Sequence, residues 1–481
     1  MCRKLFLSFV VIALASCSDT FQDDLTIKMA ETKKMPTTDT HFVSYSDVAA
    51  LTKAESTSTR ASSNAAAEIK CITGNKTNDT LLYVCQKQEG GWTVYSSDTR
   101  VPAIVAQSDG GSFDDLMKIE GAKLWIQSMA DDMAAIRQLD DDKLNFTRGE
   151  IENNKAFWES ITSPDEFVKK MLKESATRGG VFDSLAILEP IIPGHYEYSF
   201  TDSYTQVYDS IPRLTETDWY QGFPYNYYCP TTTDGSGLNA PAGCVAIAGA
   251  QMLYYLHDKL QVPQYAPSQA YCNGDINYYT WDQTDPSSTI WNSMNNYGST
   301  AAAPLIANVG KLVDMVYGND GSDAHANKLV EDVFEEYGIS CVYAGNYSNN
   351  IAQLRISLLN DMPVILSARS LTAGYAHTFI ADRYKRTRTV TRRHYEWVYE
   401  NLTPPYTPVP AVPPYIEYSY SSPIISMIGF NWGEMNTYYN NNGWFSLTGD
   451  WIVGDEGGVP CNWNVSRNMI YGFSPIDNNS N

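Results

Sequence analysis

Pro241-Ala-Gly-Cys-Val-Ala-Ile-Ala-Gly-Ala-Gln-Met-Leu-Tyr-Tyr-Leu-His257 is the stretch around which the rest of the chain is read. Val245, Ala248, Met252 and Tyr255 recur at steps of three and four, the period of a helix with one buried face. The spacing predicts a helix over 245–257 with Cys244 at its N-terminus. Ala246, Ala248 and Ala250 are small enough for that helix to pack deep against a neighbour. Unpaired backbone N–H groups and the positive end of the helix dipole at such a position favour the thiolate over the thiol. Gly243 leaves the approach to the sulfur open. A lone cysteine is still more often a buried structural residue, so its role depends on what accompanies it.

Nucleophilic catalysis by a thiol requires an imidazole beside it, a group that orients the imidazole, and donors for the developing oxyanion. His377 follows Cys244 by 133 residues and enters a strand-like run behind the loop Ala373-Gly-Tyr-Ala376. A cysteine on an early helix with a histidine on a later strand is the papain-like order, although spacing alone equally permits a core histidine. Asn431 and Trp432 end the next core strand in Gly429-Phe-Asn-Trp-Gly433. An amide there can accept the imidazole N–H while the indole shields the pair from water; the same tripeptide can also be a plain turn. Gln221 precedes the cysteine by 23 residues in Trp219-Tyr-Gln-Gly-Phe-Pro-Tyr-Asn226, placed to complete an oxyanion hole with the Cys244 backbone N–H.

The chain has 481 residues, enough for two or three domains with their own cores. With 34 Lys and Arg against 55 Asp and Glu, its net charge is −21, which repels nucleic acid and anionic lipid alike. The nine cysteines form no C-x-x-C pair, so metal binding lacks support, and nothing in the pattern calls for a cofactor. Arg3 and Lys4 precede an apolar run from Leu5 to Leu14 too short to span a bilayer. Leu14-Ala-Ser-Cys17 then resembles a bacterial lipobox, which predicts a mature chain beginning at Cys17 and tethered to an envelope membrane by acyl chains.

Residues 1–17 are thus read as signal peptide and lipobox, and the Thr- and Ser-rich 18–65 as a flexible tether. Residues 66–175 carry short strand signals at Leu81–Cys85, Trp92–Ser96 and Ala103–Ala106, followed by helical patterns, and read as a small α+β domain. Residues 176–212, with Arg178-Gly-Gly180, read as an exposed connector. Residues 213–481 place helices first (245–257, 303–317, 326–337, 350–360) and antiparallel strands second. Between those strands, 383–423 is an insert with six prolines from 404 to 414, expected on the surface.

Trp219–Asn226 with Cys229-Pro230, Gly243-Cys-Val-Ala246 with Ala250-Gln251, Val316–Ser322, Met362–Leu366, Phe430-Asn-Trp-Gly433 and Asn442–Phe445 resemble, in order, the streptopain family of papain-fold cysteine peptidases. The resemblance covers about 214–475. Gly90–Val94, Ser96–Pro102 and Gly110–Asp114 are similar to that family's inhibitory propeptide. The resemblance implies an α+β, papain-like catalytic fold of a helical half and an antiparallel β half, preceded by a propeptide domain at 66–175 and an activation linker at 176–212. It implies Cys244 as nucleophile, His377 as general base and acid, Gln221 in the oxyanion hole, and Asn431 and Trp432 supporting the histidine. It further implies peptide or protein substrates, the chain's own propeptide as inhibitor, and a bacterial envelope or extracellular location. Two departures stand out: Gly374-Tyr-Ala-His377 where the family usually has Gly-Gly-His-Ala, and the insert 383–423, which leaves 54 residues between His377 and Asn431. An acyl transferase or amidase with the same trio is one competing reading. A non-catalytic surface binding module is the other, usually accompanied by loss of the Cys or His, both of which are present here.

Overall fold

The structure, a computed structural model, describes residues 25–29, 41–58, 68–74, 79–177, 194–260, 294, 300–347, 350–370, 375–400, 413–435, 443–447, 451–452 and 465–476. The signal segment with Cys17, Arg178-Gly-Gly180, Gly374 and the proline-rich residues 404–412 lie outside these. Among the described residues no helix is long and apolar enough to cross a membrane.

The N-terminal lobe comprises β1 (Leu25–Met29), α1 (Tyr45–Ser58), β2 (Glu68–Gly74), β3 (Thr80–Gln86), β4 (Trp92–Ser96) and β5 (Ile104–Ser108), then α2 (Phe113–Leu116), α3 (Glu120–Ile136), α4 (Arg148–Thr162) and α5 (Pro164–Thr177). The five strands pair antiparallel in sequence order. On α3 the periodic residues Leu124, Met129, Met133 and Ile136 are all buried, as their spacing requires. A reciprocal Thr147–Glu150 capping box starts α4, and a proline opens α5.

The lobe begins earlier than its composition implies, because β1 and α1 fall inside the expected tether at 18–65. Ser44 and Asp47 cap the entry to α1: the Asp47 N–H donates to Ser44 Oγ at 3.3 Å and the Ser44 N–H to Asp47 Oδ2 at 2.7 Å. Val48 and Leu51, one turn apart, then bury against the sheet. The expected connector is likewise not wholly exposed chain, since its second half forms β6 (Gly194–Ile211), paired with a strand far along the sequence.

The larger unit follows with α6 (Cys244–Leu260), α7 (Ala303–Leu312), β7 (Val316–Tyr317), β8 (Ser322–Asp323), β9 (Ile339–Ala344), α8 (Ile351–Leu359), β10 (Val364–Ser370), β11 (Ala376–Tyr399), β12 (Tyr415–Ser421), β13 (Ile425–Asn431), β14 (Trp444–Ser446) and β15 (Val465–Pro475). The helix expected over 326–337 is reduced to a π-helical turn at Leu329–Phe334, and that over 303–317 stops at Leu312, ahead of the left-handed Asp314 (φ 52°). The order of helices before antiparallel strands is an α+β fold, as expected.

One sheet runs β1-β2-β3-β4-β5-β14-β13-β11-β10-β15-β9, joined between lobe and larger unit by Trp444↔Gln107 and Phe445↔Ala106. The helical core packs Val245, Ile247, Ala248 and Met252 of α6 with Leu305 and Val309 of α7 onto Ile365, Ile380 and Ile470 of the sheet. A Cβ on Gly249 would lie 3.0 Å from Val309 Cγ1 and still closer to Leu329, so glycine sets the depth at which α6 seats.

Candidate active site

Cys244 is the first residue of α6, partly exposed, at the wall of a cleft of about 830 Å³. Gly243 is required before it for two reasons. Its φ is +87°, and a Cβ there would lie 2.6 Å from the Met315 Sδ. The expected reason, access to the sulfur, is therefore secondary to backbone conformation. Gln221 and His377 line the same cleft. The Ala242 N–H donates to the Gln221 carbonyl at 2.8 Å, tying the glutamine loop to the residues entering α6, and the buried Trp219 anchors that loop below.

His377 enters β11 between β10 and β13, paired with Ala368. Its Nε2 lies 2.8 Å from the Trp432 carbonyl oxygen, which only accepts, so Nε2 carries a proton and donates. Proton exchange at this imidazole is thereby confined to Nδ1. Burial, the largest influence, pushes the imidazole toward its neutral form. Cys244 most strongly, then the Glu434 carboxylate and the Trp432 carbonyl, act the other way, and together they raise the pKa to about 9.

The five residues expected at the site do not all play the parts foreseen. Cys244, His377 and Gln221 share the cleft. Asn431 does not orient the imidazole here. Its Nδ2 donates to Thr215 Oγ1 (3.2 Å), Thr217 O (2.7 Å) and Gln251 Oε1 (2.9 Å), and its Oδ1 accepts from the Gly433 N–H at 3.2 Å. That network ties the end of β13 to α6 and to the segment before Gln221. The orienting group is instead the backbone of Trp432, whose indole packs on Phe379 and Phe430 with centroids 4.8 and 4.5 Å away.

Sequence reasoning missed Glu434. Its Oε1 accepts from Gln221 Nε2 at 2.9 Å and lies 3.9 Å from His377 Nε2, and burial raises its pKa against the lowering influence of His377. Its position two residues beyond Trp432 was the available signal. The N-terminal lobe also reaches the site. A Cβ on Gly121 of α3 would lie 2.7 Å from Trp432 Cε3 and 2.8 Å from His377 Cδ2, and Glu120 Oε2 lies 3.9 Å from His377 Nδ1. His377 is consequently only 1 % exposed. Among the described residues no three His, Cys, Asp or Glu side chains converge as a metal site.

The sequence model of the peptidase C10 family matches residues 219–400. Streptopain of Streptococcus pyogenes is 24 % identical over 335 residues, covering 64 % of this chain and 69 % of the relative. A second streptopain from that species is 23 % identical over the same length. Among solved structures, a prointerpain A fragment of Prevotella intermedia aligns at TM-score 0.40 and 16 % identity, over 85 % of this chain and 99 % of the fragment. Active interpain A of the same organism aligns at TM-score 0.32 and 19 % identity, over 55 % of this chain and 96 % of the other. With thiol and imidazole in one cleft, a C10 family match spanning both and the streptopain relatives, the chain is a streptopain-like, cysteine-type peptidase.

Proposed function

We propose that the chain is an endopeptidase made as a zymogen, with Cys244 as nucleophile. The Cys244 thiolate attacks a peptide carbonyl carbon, and the oxyanion takes hydrogen bonds from the second N–H of the Gln221 amide and from the Cys244 backbone N–H. His377 gives its Nδ1 proton to the leaving amine as the C–N bond breaks. The same nitrogen then takes a proton from water, which attacks the acyl-enzyme carbonyl, and the C–S bond breaks to release the thiolate. The Trp432 carbonyl keeps the ring in the orientation this exchange needs, and the Glu434 carboxylate holds the Gln221 amide and favours the imidazolium. Asn431 braces the scaffold without touching the proton.

In this reading the N-terminal lobe is the inhibitory propeptide, and a cut between α5 and β6 separates it from the enzyme. Cys17 carries lipid and holds the chain at a bacterial envelope, facing peptide and protein substrates. The observation that carries the catalytic reading is Cys244, at the head of α6, sharing one cleft with His377 and Gln221. The packing of Gly121 over His377 and Trp432 carries the inhibitory one. Expression of Cys244→Ala tests the catalytic reading: a folded chain that persists at full length and hydrolyses no peptide is expected. Peptide hydrolysis at the wild-type rate would refute the nucleophile.

A further inference from the structure

Beyond the site, β11 does something the chemistry does not require. Its first part, through Thr387, lies in the main sheet against β10 and β13. Within the same sheet it then runs on to Tyr399 past the end of β13, paired with β6 along Tyr384↔Ile211 to Tyr399↔Gly194 and with β12 along Val390↔Ser421 to Glu396↔Tyr415. None of the residues lining the cleft comes from this three-stranded ribbon. A hairpin extended into solvent would be polar on both faces. Here one face is Thr391, Arg393, Tyr395 and Trp397 with Ile416 and Tyr420, all buried, while Arg392, Glu396 and Glu417 face outward.

What buries that face is the N-terminal lobe. Phe167 and Val168 of α5 pack with Tyr196, Tyr395, Trp397 and Ile416, and Phe157 of α4 lies 4.7 Å from the Tyr420 ring. Polar contacts fix the register. Tyr395 OH donates to Ser160 O at 2.8 Å, satisfying a carbonyl in the last turn of α4. Arg393 Nη1 donates to Phe157 O at 2.8 Å, a cation where the helix dipole is negative. Tyr420 OH donates to Asn154 Oδ1 at 2.7 Å, and the Tyr196 N–H donates to Asp165 Oδ1 at 2.9 Å. This contact is separate from the seat of α3 on His377.

We propose that the ribbon is a retention clasp: it keeps the N-terminal lobe bound to the enzyme after the chain is cut between α5 and β6. The long insert then exists to carry this second receptor surface, with β6 remaining on the enzyme as its edge strand. The proposal rests on reading the lobe as the inhibitor only for its consequence, that one cut leaves the site covered; retention itself is independent of activity.

The test uses the full chain with a site for a sequence-specific protease placed between α5 and β6, in a Cys244→Ala background. After cutting, native mass spectrometry and dilution into labelled lobe measure how fast the two pieces part. The wild-type ribbon should hold the lobe. Tyr395→Phe, which removes one hydroxyl, and Arg393→Ala should each release it roughly tenfold faster or more, the loss expected for a buried hydrogen bond left unpaired. Arg392→Ala on the outer face should change nothing. Elution of each uncut variant as wild type reports its folding, and Tyr395→Phe keeps the test alive should Arg393→Ala fail to fold. Rapid separation of the wild-type pieces overturns the clasp, as does retention that neither variant weakens. Cutting the Cys244-containing chain in parallel separates the two readings: a retained lobe with full peptidase activity upholds the clasp and overturns the inhibitory role.

Discussion

Gly121→Val is expected to activate the uncut chain. A Cβ at residue 121 would sit 2.7 Å from Trp432 Cε3 and 2.8 Å from His377 Cδ2, where carbon atoms normally rest about 3.5–4.0 Å apart. Neither ring can retreat: Trp432 is wedged among Phe379, Phe430 and Phe445, and His377 is held by the Trp432 carbonyl. Nor can α3 rotate away, since Ala122, Leu124, Trp125 and Ile126 on its other faces are buried. Overpacking of this kind costs about 1–3 kcal/mol. Valine's small gain over glycine in helix propensity applies whether or not the lobe is docked, so it cancels. The whole cost falls on the docked state, and the undocked, active population rises about 5- to 150-fold. Initial rates of fluorogenic peptide hydrolysis, read before any cut chain is visible on a gel, measure it. A rate within twofold of wild type, from a chain that folds normally, would refute the seating of α3 on the imidazole.

Three further outcomes are expected. The His377 pKa, about 9 in the latent chain, should fall in Cys244→Ala, because burial then acts without the thiol that opposes it; ring NMR reads this directly. As a raised pKa, it contributes stability that is full below the ordinary value of about 6.5 and is lost as pH rises through about 9, so the melting advantage of wild type over Cys244→Ala should shrink across that window. Gln221→Ala should lower turnover of the lobe-free enzyme by roughly 10²–10³-fold while changing alkylation by a small haloacetamide less than about threefold, since alkylation forms no oxyanion. Parallel losses would make Gln221 a structural amide. Asn431→Ala should cost about 1–3 kcal/mol in chemical denaturation by removing its bonds to Thr217 O and Gln251 and stripping the buried Gly433 N–H of its acceptor, yet leave the His377 titration unmoved; a shifted titration would restore it as the orienting group.

Much of the site was legible because it is written in side chains at fixed periods. The apolar period of 245–257 placed Cys244 at a helix start, and the apolar run after His377 placed it on a strand. Roles held by backbone atoms leave no such trace, which is why the Trp432 carbonyl was assigned to the neighbouring Asn431 amide. Asn431 itself could not be read without its partners, 180 and 216 residues away in the chain at Gln251 and Thr215. Residues 194–211 read as exposed connector because Asp, Ser and Thr recur among them, though Tyr196, Tyr198 and Phe200 alternate as a strand demands. Similarly, α1 hid in a Ser- and Thr-rich stretch where two apolar residues, Val48 and Leu51, suffice once Ser44 and Asp47 cap the helix.

Location of a covalent label from an active-site-directed peptidyl electrophile, before and after removal of the N-terminal lobe, tests the central claim most directly. Peptide mapping should find the label on Cys244 alone, sparse in the intact chain where His377 is 1 % exposed and complete once the lobe is gone. His377→Ala should abolish it, because the sulfur loses the imidazole that shares its cleft. Label on another cysteine such as Cys229 or Cys341, or equal labelling of Cys244 with His377 replaced, would contradict a Cys244–His377 catalytic pair.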